Sequence, residues 1–319
     1  KKVALTGALA VVNTDNAARA EIADGASVSV DGPLAVHSDA VMPLPLSDTF
    51  DAATQFPQWD DLGSWKDYVL KIKNKVLTGT LGTATGWVQS NAESEKVSLS
   101  GSFNKLRVNN QASARIGDAS VTGDGGREDV TVHSVAREGI LGMTGSVGVN
   151  PLNLWQGSKT DSIGFGGAYQ QLTLTGGSTA EIDSGANVTA DDLIVDALAD
   201  SILLLVTEQS GKGGKVNING AFSLVDGPRT TRARIGSRGA SIDARNVAVT
   251  AENDTDLINA TGGITSSQNT GFGASVSINE LDRTTRALIG LPAGESPTGH
   301  GGSIDADNLW LSAVNTGLL

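Results

Sequence analysis

The segment Gly271 to Gly290, GFGASVSINELDRTTRALIG, carries an ungapped copy of Asn219 to Gly236, NGAFSLVDGPRTTRARIG, 54 positions further on. A fixed self-similarity of this length restricts a chain to architectures made by repetition, a solenoid or an array. Each copy alternates apolar and polar residues, turns at a polar stretch, then reads Arg-Thr-Thr-Arg-Ala and Ile-Gly. Residues two apart, such as Val276 and Ile278 or Phe222 and Leu224, point to one face of a strand.

The unit extends along the whole chain as Ala-x-Ile, a short break, then Ala-x-Val or Ala-x-Ile. Its anchors are Ile22, Ile116, Ile182, Ile235 and Ile289, spaced by 94, 66, 53 and 54 residues. A second strand follows each anchor: Leu34 to Val36, Val130 to Val132, Leu193 to Val195, Val247 to Val249 and Leu309 to Leu311. Glycines such as Gly25, Gly117, Gly185 and Gly236 suit the tight corners of a coil, since glycine reaches positive φ cheaply. Inward positions read as Ala, Val, Ile and Leu, and outward ones as Ser, Thr, Asp, Asn and Arg. Short strands of this kind fit coils of about 20 or more residues, so each long repeat is expected to hold two or three coils of a parallel β-helix. A barrel or sandwich also gives many short strands, but repeats of unequal length insert badly into a closed barrel. The expected fold is therefore an all-β parallel β-helix, with coils over residues 1–40 and 96–319 and one insertion over 41–95.

That insertion holds three of the five tryptophans, Trp59, Trp65 and Trp87, with Pro43, Pro45 and Pro57. Ser64 fits the N-cap of a helix over about 64–77, and Trp65, Val69, Ile72 and Val76 fall on one helical face. Such a helix either docks its aromatics on the solenoid or presents them to a partner or glycan. Interface energy concentrates in Trp, Tyr and Arg side chains; the repeats are expected to present few large outward side chains, and Trp and Tyr look scarce on them. Trp59, Asp60, Asp61 and Trp87 are therefore the candidate contact residues, with Trp59 the most exposed of them.

The formal net charge of −12 disfavours nucleic acid as a partner. Cysteine is absent, so no disulfide forms; long secreted repeat proteins avoid it, which points outside the cell. No run of about 18 apolar residues is present to span a membrane. Lys1-Lys2 leads directly into alternating sequence, and Leu309 to Leu311 closes the repeats with no polar cap. The expectation is an internal piece of a longer chain, or a subunit whose unpaired ends associate end to end.

Chemistry is thinly represented. His37 and His133 share a repeat position that holds Asp196, Thr250 and Ser312 in later copies, as a solvent face does. Asp and Asn gather in turns, as at Asp124-Gly125-Gly126 and Asp305 to Asn308, but the tandem Gly-Gly-x-Gly-x-Asp array of calcium-binding repeats is missing. A structural calcium ion thus has no motif behind it, and no cofactor is called for. Parallel β-helices also carry polysaccharide lyases and hydrolases, which need grouped carboxylates beside a cation. Asp191-Asp192 and Asp60-Asp61 are the adjacent acid pairs, and the first varies between copies like a loop. No catalytic residue is assigned, and a polysaccharide-binding or polysaccharide-cleaving enzyme is the alternative reading.

The stretches Gly271 to Asn279, Thr285 to Gly290 and Ile242 to Val249 resemble the repeats of very large bacterial surface adhesins of the leukotoxin and filamentous-haemagglutinin-like type. The likeness is best over residues 180–319. It implies a secreted, right-handed β-helical stalk at the bacterial cell surface, a structural and adhesive rod in an adhesin, filament or sheath.

Overall fold

The computed structural model describes residues 2–42, 85–123, 127–145, 158–236, 239–263, 265–290 and 301–318. The expected helix over 64–77, and with it Trp59, Asp60 and Asp61, lies outside the described residues.

The described residues form 17 strands and no helix. They stack as five coils in three parallel sheets. The first sheet stacks β1 (Val3–Ile22), β6 (Val97–Ile116), β10 (Ile163–Ile182), β13 (Val216–Ile235) and β16 (Thr270–Ile289), each of 20 residues. The second stacks β2 (Ser27–Val30) and β3 (Leu34–Met42), joined by β4 (Thr85–Gln89), below β7 (Ser120–Gly123) and β8 (Val130–Gly145). Above them lie β11 (Asn187–Glu208), β14 (Ser241–Gly262) and β17 (Ser303–Thr316). The third is narrow: β5 (Glu93–Ser94), β9 (Ser158–Thr160), β12 (Gly211–Gly213) and β15 (Thr265–Ser267).

The fold class agrees with the sequence, whereas the coil size does not. Ile116 pairs with Ile182, Ile182 with Ile235, and Ile235 with Ile289, so one repeat is one coil rather than two or three. The short strands inferred from apolar runs are parts of strands three times longer, continued through Asn, Ser and Gln. The 41–95 insertion enters inside a strand: Met42 pairs with Glu138 and Thr85 with Leu141, so β3 and β4 are two halves of one line.

Strand parity fixes which side chains enter the interior. At the corner between the first two sheets, Ile116, Ile182, Ile235, Val188, Leu193 and Val247 pack in a single apolar cluster, nearly all fully buried. Each such side chain contributes about 1.5–3 kcal/mol by leaving water. Gly25, Gly185 and Gly239 turn this corner at φ of 77°, 88° and 66°, a conformation closed to most side chains. Further along, a polar belt crosses the interior: Asn110, Ser134, Glu138, Ser178, Ser201 and Arg229 are all buried. Beyond it lies a second apolar cluster containing Leu106, Ile140, Leu172, Leu203 and Val225. The far end is polar again. There Gln170 accepts hydrogen bonds from Thr144 at 2.8 Å and Thr207 at 3.2 Å. Inward glycines make room for these amides: a Cβ on Gly142 would lie 2.2 Å from Gln170 Nε2.

Arg229, on the fourth coil, reaches Glu138 on the second. It passes Gly176 and Ser201 of the third coil, the small members of the two columns involved. Its Nη2 donates to Glu138 Oε2 at 3.0 Å, Asn110 Nδ2 donates to the same oxygen at 2.7 Å, and the Ser201 hydroxyl donates to Oε1. Burial pushes the Arg229 guanidinium below its ordinary value, to about 9. Replacing Arg229 by Met strands the Glu138 charge in the interior, and is expected to cost about 3–5 kcal/mol as a fall in the denaturant midpoint. Adding Glu138→Leu should recover part of that loss, because an apolar pair needs no compensating charge. A wild-type midpoint for Arg229→Met would show that the pair contributes nothing.

Candidate functional site

The same parity that buries Ile116 turns Leu99, Gly101 and Phe103 outward, because they sit an odd number of residues before it. The expected polarity is therefore reversed in the first half of the first sheet. Ser98, Ser100, Ser102 and Asn104 are buried, while Leu99 faces solvent at 46% exposure. Val276, Ile278, Phe222 and Leu224, grouped on one face by the sequence, lie on this outer face.

The stacking register makes columns of these outward residues. One column reads Leu5, Leu99, Phe165, Ile218 and Phe272; the next reads Gly7, Gly101, Gly167, Gly220 and Ala274; the third reads Leu9, Phe103, Tyr169, Phe222 and Val276. The glycine column is a floor beside the third, apolar column, and these two line an open groove of about 750 Å³ along the stacking direction. The first column flanks the floor on its other side, outside the groove's lining. The aromatic ridge is ordered: Phe103 and Tyr169 stack at 4.9 Å between ring centroids and Tyr169 and Phe222 at 5.4 Å, each pair 6° from parallel. Rings stacked in this way cover one another's faces and turn edges to the groove. The expectation of few large outward side chains on the repeats is corrected here; Phe103, Phe165, Tyr169, Phe222 and Phe272 all lie on this one face.

The outer face of the second sheet has a different character. His37 stacks on His133 at 4.9 Å, and His133 Nδ1 lies 2.8 Å from Asp196 Oδ2. Burial opposes ionisation of Asp196, but hydrogen bonds from His133 and Thr250 hold its carboxyl below its ordinary value. Four residues along, Asp200 pairs in register with Asp254 and with Arg137. Burial, Asp254, Asp256 and Glu252 outweigh the Arg137 guanidinium and push Asp200 from 3.8 up to about 6. Burial alone pushes Glu208 up to about 7. A carboxyl poised near neutrality beside an arginine has the pKa of a general acid.

Of the residues singled out by sequence, Trp87 lies on β4, half-buried against Leu141, Met143 and Leu204. Asp191 and Asp192 lie at the start of β11 with Asp129, their ligand atoms within 4.8 Å of one another. Arg245 supplies a cation there, 2.6 Å from Asp191 and 3.9 Å from Asp192, and Asn246 donates to Asp192 at 2.6 Å. Sequence reasoning passed over the groove and the Asp200 cluster because each assembles one residue per coil. The signal for the groove was present as glycine recurring two residues before Phe103, Tyr169 and Phe222. No family model, curated protein or solved structure matches this chain. Among the described residues, no helix is long and apolar enough to cross a membrane.

The raised carboxyls make a pH prediction. Folded Asp200 and Glu208 keep their protons where the unfolded chain, with ordinary values of 3.8 and 4.5, has released them. Their contribution to stability is complete below those ordinary values and is lost as pH rises through about 6 and then 7. The wild-type melting temperature should therefore fall, relative to an Asp200→Asn/Glu208→Gln double variant, between mildly acid and mildly alkaline buffer. Parallel pH curves for the two proteins would mean that both carboxyls ionise normally.

Proposed function

We propose that this chain is a structural and adhesive rod segment of an extracellular bacterial surface adhesin, filament or sheath, and that the outer face of its first sheet is a contact surface. The observation that carries this reading is the open glycine-floored groove beside the ridge of Leu9, Phe103, Tyr169, Phe222 and Val276, with a second apolar column on the far side of the floor; Leu9 is 71% exposed and Phe272 60%. A continuous apolar face of this kind on a soluble protein marks an interaction surface. The parallel stack supplies the rod: every coil hydrogen-bonds to the next through its backbone, so length grows by adding coils without changing the cross-section. Trp59, Asp60 and Asp61 of the inserted segment, with Trp87 on β4 just after it, form a second contact candidate.

Beads coated with the protein are expected to attach to cells or extracellular matrix. A Phe103→Ser/Phe222→Ser variant should lose most of that attachment at an unchanged melting temperature, since both side chains face outward. Trp59→Ala in the same assay reads the contribution of the insertion. Wild-type beads that attach to neither surface would remove the adhesive half of the reading.

A second reading, glycan cleavage, is favoured by the Asp200 cluster, where Arg137 lies 4.0 Å from Asp200 and Asp254 pairs with Asp200 from the next coil. Incubation with acidic and neutral polysaccharides tests it. Cleavage abolished by Asp200→Asn would establish an enzyme, and no cleavage across the panel would leave the rod.

A further inference from the structure

We propose that the groove docks a second copy of this chain side by side, each copy setting an apolar ridge on the other's glycine floor. This names the partner of the contact surface read above and rests on that reading.

The first argument is the glycines themselves. Inward glycines are filled: a Cβ on Gly86 would lie 2.5 Å from Asn104, and one on Gly166 would lie 2.4 Å from Asn219. The floor glycines are open. A Cβ on Gly101 or Gly167 meets nothing within 4 Å, and one on Gly7 or Gly220 meets a neighbouring carbonyl at 3.9 Å. None of the four has positive φ. Neither the fold's conformation nor its packing asks for glycine there, and glycine weakens a strand. Glycine within a strand also marks a place where a ligand or another surface comes close to the backbone. Four coils in succession keep that place low.

The second argument is shape. The ridge Leu99, Phe165, Ile218 lies one column from the floor Gly101, Gly167, Gly220. A two-fold axis in the interface, parallel to the stack and midway between them, sets each ridge on the partner's floor. The same rotation lays Val97, Ile163 and Val216 against the partner's Phe103, Tyr169 and Phe222. All four columns are then matched with apolar columns, a face complementary to itself, as a closed two-fold dimer requires. Four columns two residues wide across five strands cover about 650 Å² per copy, close to the roughly 800 Å² a side of a standard stable interface.

The third argument is charge and chemistry. The net charge of −12 is carried heavily by the opposite side, where Asp196, Asp200, Glu252, Asp254 and Asp256 lie on the outer face of the second sheet. Two copies meeting through the first sheet keep these acids apart. A sugar would need exposed ring faces to stack on, and the aromatic ridge turns its faces to its own neighbours.

Sedimentation equilibrium of the 319-residue chain is expected to show a reversible monomer–dimer equilibrium. The Gly101→Val/Gly167→Val variant fills the floor and should weaken dimerisation at least about tenfold. Because both positions have room and negative φ, its melting temperature should match or exceed that of wild type when measured as a monomer. Gly101→Ala/Gly167→Ala, a smaller change, keeps the test valid if valine disturbs folding. A wild type that stays monomeric into the high micromolar range overturns the proposal. So does a dimer unaffected by either variant, or an open-ended ladder, which would signal end-to-end stacking. Attachment by a monomeric wild type would overturn the pairing and leave the adhesive reading standing; a dimer that attaches to nothing would do the reverse.

Discussion

Everything in this molecule depends on parallel pairing in register, in which each residue lies on its counterpart one coil away. The strand spacing of about 4.8 Å sets the distance between those counterparts. Apolar residues profit from being stacked on their own kind, so Ala-x-Ile recurs without variation at the corner. Charges do not, because like charges opposite one another repel. On the outer face near that corner the column therefore alternates, Glu21, Arg115, Glu181, Arg234. Arg115 bridges three coils, reaching Glu21, Asp24 and Asp183, and the hydrogen bond to Asp183 above all holds its guanidinium above the ordinary range. Where the rule is broken, at Asp200 on Asp254, burial first and the like charge second drive the carboxyl towards its neutral form.

Register also explains what could be read from the chain and what could not. The anchors Ile116, Ile182 and Ile235 and the second strands at Val132, Val195 and Val249 were legible because local alternation and repeat spacing agree there. Coil size was hidden, since strands were counted by apolar runs and a buried Asn110 or Gln170 looks like a break. The groove was hidden for a related reason. Nothing local marks Gly101, Gly167 and Gly220 as a floor, or tells which face of the strand Phe103 and Phe222 take. Only parity counted back from the Ile anchor places them outside. Asp200, Asp254 and Arg137 are separated by 54 and 63 residues, and no local pattern joins them before the register is known.

The polar belt in the interior addresses a weakness of the same design. Coils built on identical Ala-x-Ile corners can stack in more than one order, and a two-residue slip would keep every side chain on its proper face. A continuous apolar interior would tolerate both errors, since Ile packs on Ala or Leu nearly as well as on Ile. Glu138 and Arg229 do not tolerate them. Their contact runs between the second and fourth coils through gaps left by Gly176 and Ser201. Displacing either strand by two residues carries a buried charge away from its partner, towards Leu172, Leu203 or Leu257 of the neighbouring apolar cluster. A buried ion pair is weak evidence of stability, since apolar residues of like volume often serve as well, but an unpartnered charge in the interior is severely penalised. That asymmetry favours one stacking order over its near-equivalents, and with it the columns that bring four glycines into a single floor.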